Sequence, residues 1–184
     1  MRHAGSAPEL PSERPAGVLD ADTAVTVLYG AHWRPLVRLA ALLTGDESVA
    51  EEIAQDAFVG LYRRWGSVRD STAGLAYLRT SVVNGARSAV RRRQVRLAHR
   101  PPPPPEPAGP DEAAARAMED ARVLAALRSL SRRQEEVLVL RYWADLDEQE
   151  IAETLGISRG SVKVHVHRAT AALRQALASS GVGR

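Results

Sequence analysis

Apolar residues recur along this chain every three or four positions, and no stretch alternates in the two-residue rhythm of a strand. The pattern predicts an all-α protein. Starting near Asp20 to Thr23, the residues Leu28, Trp33, Leu36, Val37, Leu39, Ala40 and Leu43 mark a strongly apolar first helix. Pro35 inside it would either kink the helix or open a fresh one. Thr44-Gly45-Asp46 reads as a turn and cap. The next helix runs to about Trp65, with Val49, Ala50, Ile53, Ala54, Ala57, Phe58, Leu61 and Trp65 on one broad side. Glu52, Gln55, Asp56, Val59 and Arg63 lie opposite, with Glu51 at their edge. A loop through Gly74 follows, and a third long helix starts near Leu75. There Leu75, Leu78, Val82, Ala86, Ala89 and Val90 share one side of the wheel. Tyr77, Thr80, Ser81, Asn84, Ser88 and Arg91 share the other.

The periodicity breaks at residues 99–111, where Pro101 to Pro105 removes backbone donors and favours polyproline II. This segment reads as a semi-rigid linker. Helical spacing then returns over Glu112 to Leu130. Ser131 followed by Gln134 forms a capping box that opens another helix through Val137, Leu138, Leu140 and Tyr142. The domain organisation expected is a mobile tail over 1–19, a helical domain over 20–98, the linker over 99–111, a second helical domain over 112–178 and a short tail over 179–184.

The stretch DEQEIAETLGISRGSVKVHVHRATAALR, Asp147 to Arg174, is the most specific in the chain. Asp147 and Glu150 form a second capping box. Ile151, Ala152 and Leu155 make a buried face, and small Ala152 permits close helix approach. Gly156 supplies a left-handed turn, and Ser158 caps the next helix. In that helix Val162, Val166, Ala169 and Leu173 point inward, so Gly160, Lys163, Val164, His167, Arg168 and Ala171 point out. A helix-turn-helix whose outer row mixes cations with small residues suits the major groove of DNA. A plain helical corner would share the caps and the turn but not the basic outer row.

Charge sharpens this picture. The formal net charge is only +3, but it is unevenly spread. Seven arginines and no carboxylates lie between Ala76 and Arg100, whereas acids dominate Asp46 to Asp56. A basic block beside an acidic helix suggests separate surfaces for nucleic acid and for a protein partner. The outer face of the third helix offers a ring for stacking, an amide for base edges and cations for phosphate. The chain has no cysteine, which excludes disulfides and thiolate metal sites. Its five histidines are scattered, so no metal or other cofactor is expected. No phosphate loop or nucleophile–base pair points to an enzyme. No apolar run is long enough to span a membrane and no signal-peptide core is visible, which predicts a cytoplasmic protein without membrane insertion.

Taken together, the span from about Asp20 to Leu177 resembles a bacterial sigma factor of the extracytoplasmic-function type, within the sigma-70 family and most similar to the actinobacterial sigma-E-like group. AEEIAQDAFVGLYRRW resembles region 2.2, AYLRTSVVNGARSAVRRR regions 2.3 and 2.4, and LSRRQEEVLVLRYWADLDEQEIAETLGISRGSVKVHVHRATAALR region four. The resemblance implies a promoter-specificity subunit. Glu51, Glu52, Gln55, Asp56, Val59 and Arg63 would face the clamp helices of core RNA polymerase. Tyr77, Thr80, Asn84, Arg87, Arg91, Arg92 and Arg93 would hold the melted minus-ten element. Arg159, Ser161, Lys163, Val164, His167 and Arg168 would meet the minus-thirty-five duplex. When bound to polymerase the protein would lie on the nucleoid. An anti-sigma factor is a partner of many relatives.

The sequence departs from the family pattern at Tyr77, where many members carry Trp, and at Ser158, His165 and Thr170. Trp65 falls on the buried side and reads as core. The linker could fix the spacing of the two domains or act as an inert tether. The rival reading is a helix-turn-helix regulator that binds duplex DNA without serving as a polymerase subunit. A receiver-type regulator would need alternating strands and a phosphoacceptor Asp, neither of which is visible.

Overall fold

The computed structural model describes residues 20–97 and 112–179. The expected N-terminal tail, the Pro-rich linker and residues 180–184 lie outside them. The described residues form helices and turns with no strand: α1 Ala21–Thr44, α2 Glu47–Arg64, α3 Ser71–Leu97, α4 Glu112–Ser129, α5 Arg132–Leu138, α6 Glu148–Leu155 and α7 Arg159–Ser179.

Capping explains most of the boundaries. The Asp20 carboxylate accepts from the Thr23 amide at 2.8 Å, and Asp46 accepts from Val49 at 3.1 Å. Both carboxyls are held below their usual range, first by these backbone bonds. Gly45 closes α1 at φ 71°, a left-handed conformation that L side chains rarely adopt. One alternative closes and one expectation changes. Helix α1 continues through Pro35 as one element. And α3 begins at Ser71, four residues ahead of Leu75, because the Asp70 carboxylate accepts from the Ala73 amide at 2.9 Å and caps it. The connection shrinks to a 3-10 turn, Trp65–Ser67, and a few residues. Trp65 is buried, as its place on the wheel requires.

Helices α1, α2 and α3 pack on one another around Leu36, Leu39, Phe58, Leu61, Leu78 and Val82. Of the inward set expected on α3, Leu78, Val82, Ala86 and Ala89 are buried and Leu75 and Val90 half-buried, while Val83 joins the buried residues. Tyr77 differs. Its ring is half-buried against the core, with the Arg64 guanidinium 6.0 Å from its centroid. It leans toward α2 because Gly60 opposite leaves room: a Cβ there would lie 2.7 Å from the Tyr77 hydroxyl.

In the second half, Ser131 opens α5 as the capping box predicts, its amide and hydroxyl each donating to Gln134 Oε1 at 3.0 and 2.8 Å. The expected continuation as ordinary helix does not hold. Val139–Trp143 widens into a π turn, where the Ala144 amide reaches back five residues to Val139 at 3.1 Å. Asp145 follows at φ 50°. The turn buries Leu140 but directs Tyr142 and Trp143 outward, 67% and 59% exposed.

The two halves touch. Helix α3 packs against α6, and the π turn packs against α1. Arg128 of α4 lies over the α1–α2 turn, where a Cβ on Gly45 would fall 2.8 Å from its Nη2.

Candidate nucleic-acid interfaces

The helix-turn-helix forms as its sequence requires. The Asp147 carboxylate accepts from the Gln149 and Glu150 amides at 2.7 and 2.8 Å, and the Glu150 carboxylate accepts from the Asp147 amide at 3.0 Å. The first of these contacts to pull the Asp147 carboxyl below its usual value is the Glu150 amide bond. Gly156 turns the chain at φ 65°. The Ser161 amide donates to Ser158 Oγ at 3.1 Å and so caps α7. Val162 and Ala169 are buried and Val166 and Leu173 half-buried, while Arg159, Gly160, Lys163, Val164, His167 and Arg168 are exposed. Ser161 is half-buried at the start of the helix. The outer row is therefore one continuous strip. An apolar side chain 47% exposed, Val164, sits between cations. Glu148 on α6 is the acid within reach, 3.7 Å from Lys163 and 3.9 Å from Arg159. These are long, exposed contacts of small energy.

The outer face of α3 is built differently. Asn84, Arg91, Arg92 and Arg93 are exposed, and Thr80, Ser81, Arg87 and Ser88 are half-buried. Arg87 is already engaged. It donates through Nε and Nη2 to both oxygens of Glu136 at 2.7 and 2.8 Å, and through Nη1 to Asn84 Oδ1 at 3.2 Å. Glu136 lies on α5, in the other half of the molecule, and is 3% exposed. Its burial is tolerated because Arg132 and Arg133 of its own helix also reach it, at 3.4 and 3.1 Å. The hydrogen bond to Glu136 raises the Arg87 pKa above its ordinary value. About two turns back on α3, Arg79 donates to Glu150 at 2.8 Å. Sequence reading missed both pairs, and pairs 49 and 71 residues apart leave no periodic trace.

On α2, Glu51, Glu52, Gln55, Asp56, Val59 and Arg63 are all exposed. The separation expected between this acidic row and the basic block is not complete. Glu52 and Asp56 line one cleft together with Arg92, Arg93 and Arg96 from the end of α3. Beside Val59 lies an aromatic cluster that sequence reading did not single out. Tyr29 stacks on Trp33 at 4.9 Å and meets Phe58 edge-on at 5.2 Å. Tyr62, half exposed, is tied to Asp22 by a hydrogen bond that pushes its hydroxyl pKa up. Tyr29 and Trp33 four apart on α1, and Tyr62 three beyond Val59, were the available signs. No metal-binding cluster occurs among the described residues.

A helical module with a polar, cation-bearing helix face, joined to a helix-turn-helix, defines a two-part DNA-binding protein. Comparison with known proteins is specific. The sigma-70 region 2 family matches residues 28–96, and the sigma-70 region 4 family matches residues 120–173. The RNA polymerase sigma-E factor of Streptomyces avermitilis is 34% identical over 144 residues, covering 78% of this chain and 79% of that protein. The ECF RNA polymerase sigma factor SigL of Mycobacterium tuberculosis is 32% identical over 179 residues, covering 93% and 99%. The fold is shared with the sigma factor RpoE, solved in complex with the anti-sigma factor NepR from Bartonella quintana. There the TM-score is 0.67 at 22% identity, over 86% of this chain and 98% of that one. CnrH, solved with the cytosolic domain of CnrY, gives 0.65 at 24% identity, over 86% and 95%. The chain belongs to the sigma-70 family, as an RNA polymerase sigma factor of the extracytoplasmic-function type.

Proposed function

We propose that this protein directs core RNA polymerase to promoters by dividing recognition between its two halves, with boundaries near 20–98 and 112–178 and the 99–111 segment as their connector. The exposed row Glu51, Glu52, Gln55, Asp56, Val59 and Arg63 on α2 docks on core polymerase. Val59, 41% exposed among charged neighbours, supports a protein partner. On α7, Arg159, Ser161, Lys163, Val164, His167 and Arg168 meet the upstream element in the major groove. Arg159 and Ser161 at the helix start favour phosphate there. On α3, Thr80, Asn84, Arg87, Arg91, Arg92 and Arg93 hold the downstream element as a single strand. Tyr77 lines this face through its half-buried ring and contributes by packing more than by stacking.

The observation that carries this reading is the order of the two matched regions in one chain, each with an exposed cationic helix. Strand capture is driven by binding: contacts to unpaired bases offset the cost of unstacking, and no bond is made or broken. The protein is accordingly not an enzyme. It acts in the cytoplasm, on the nucleoid once bound to polymerase. Among the described residues no helix is long and apolar enough to cross a membrane. An anti-sigma factor is a further partner, a reading supported by RpoE and CnrH having been solved in complexes with NepR and CnrY. Run-off transcription with purified core polymerase on a promoter library tests the proposal. It should yield transcripts whose templates share two separated sequence elements. Duplex binding without core polymerase, and no transcript above core alone, would instead identify a regulator that is not a polymerase subunit.

A further inference from the structure

Val164 is a large apolar side chain in the outer row of α7, and it is 47% exposed. The core makes no use of it. Val162, two residues earlier, is fully buried, and Val166, two residues later, packs on the core. Val164 points the other way. Nor does it serve the helix, since a β-branched residue is a weaker helix former than the straight-chain alternatives. Counting about 100° per residue, Gly160, His167, Arg168 and Ala171 all stand within about 60° of Val164 around the axis. Val164 is thus at the centre of the row. Lys163 and Arg159 lie toward one edge, beside Glu148 of α6.

Gly160, one turn before Val164, bears on how close a partner can come. It is helical and exposed. A Cβ there would meet Ser158 Oγ at 3.9 Å, an ordinary contact, so internal packing does not call for glycine. The missing side chain bares the backbone next to Val164 and lets this end of α7 sink into a groove. Depth matters for valine. Its side chain ends one carbon beyond Cβ and touches a base edge only when the helix axis lies close.

The groups that base pairs present in the major groove are donors, acceptors and a single apolar group, the thymine C5 methyl. Valine can pair with none of the polar ones. Covering them would strip their water and return no hydrogen bond. We infer that Val164 reads a thymine methyl in the upstream element. It selects thymine by burying that methyl and rejects the polar base edges by desolvating them. The inference rests on the major-groove role proposed above for α7. It adds a base identity that cations resting on phosphates cannot supply, because phosphate contacts position the protein without reading sequence.

The test uses holoenzyme assembled from the full-length chain and core polymerase, on an upstream element selected from a promoter library. Each thymine of that element, on either strand, is replaced singly by deoxyuridine, which removes the C5 methyl alone. Competition binding reads the affinity. One thymine should stand out, its replacement weakening binding about fourfold, as expected for the loss of one buried methyl. Val164→Ser should bind the thymine and uracil forms alike. Val164→Thr, which keeps one of the two methyls, should retain part of the discrimination. Both variants should fold, because the side chain they alter is exposed and points away from the core. A selected element without a preferred thymine, or a methyl effect that survives in Val164→Ser, would overturn the inference. A promoter with a scrambled upstream element separates this failure from that of the underlying role. If wild type prefers the selected element but no methyl effect depends on Val164, the thymine contact is wrong and the α7 role stands. If selected and scrambled elements bind alike, the α7 role itself falls, and the thymine contact with it.

Discussion

Helices α3 and α7 carry similar cations toward DNA but keep them in opposite states. On α7, Lys163, His167 and Arg168 are exposed, and the acid at hand sits 3.7 Å from Lys163. Such a contact contributes at most about 1 kcal/mol and yields readily to a polyanion. On α3, Arg87 is held at 2.7 and 2.8 Å by a carboxylate withdrawn from water. A clamp of that kind must be broken before the cation can serve elsewhere. The difference teaches that an arginine count along a helix measures potential only. Whether the charge can be used depends on what the rest of the chain lays against it.

The comparison can be broken most sharply at α7. Arg168→Ala should weaken upstream-element binding by about 1–3 kcal/mol if the side chain reads a base edge. Titration against matched and scrambled duplexes checks this, and equal loss on both would make Arg168 a phosphate contact. On α3, Asn84→Ala should lower open-complex formation several-fold, on the order of 1 kcal/mol for a lost amide contact. Affinity for core polymerase should not change. A loss of core binding would mean that the α3 face has been misassigned. Glu148→Gln sharpens the contrast from the other direction. Removing the acid near Lys163 and Arg159 should tighten duplex binding by roughly 0.5 kcal/mol at low salt and leave single-strand binding untouched.

The smallest effect concerns a carboxyl on α5. Burial pushes the Glu135 carboxyl up to about 7, against the pull of Arg128 and Arg132, with Glu136 adding to the rise. The folded chain therefore retains a proton that the unfolded chain releases near the ordinary value of 4.5. Stability should fall as pH rises from about 4.5 to about 7 and stay low above that. Glu135→Gln should remove this slope, raising the melting temperature by a few degrees at pH ~8 and by nothing at pH ~4. Because Glu135 is only partly buried, solvent screening keeps the effect small. A pH profile parallel to wild type would show that Glu135 is charged throughout.

Local chemistry made most of the fold legible in advance. Caps at Asp46, Ser131, Asp147 and Ser158 are written in adjacent residues, and helical spacing sorts inward from outward positions on α2, α3 and α7. The failures have physical causes of two kinds. Asp70 was not read as a cap, so α3 was begun too late, and the π turn after Leu138 has no propensity signature. The rest is tertiary. Tyr77 shares a wheel face with exposed Asn84, yet the space above Gly60 draws its ring inward. The engagement of Arg79 and Arg87 depends on how two separately patterned halves pack, which no local period encodes. The candidate sites were legible as faces, and their occupancy was not.

The π turn at Val139–Trp143 has one more consequence. It absorbs a single surplus residue between two buried leucines, Leu140 and Leu146. Because the widened turn takes up that residue locally, deleting one residue there would restore ordinary helical winding and keep the flanking segments in phase. The change would fall on the turn itself, which holds Tyr142 and Trp143 out in solvent. A one-codon deletion at Arg141 should thus redirect these two rings while the recognition helix keeps its bearing.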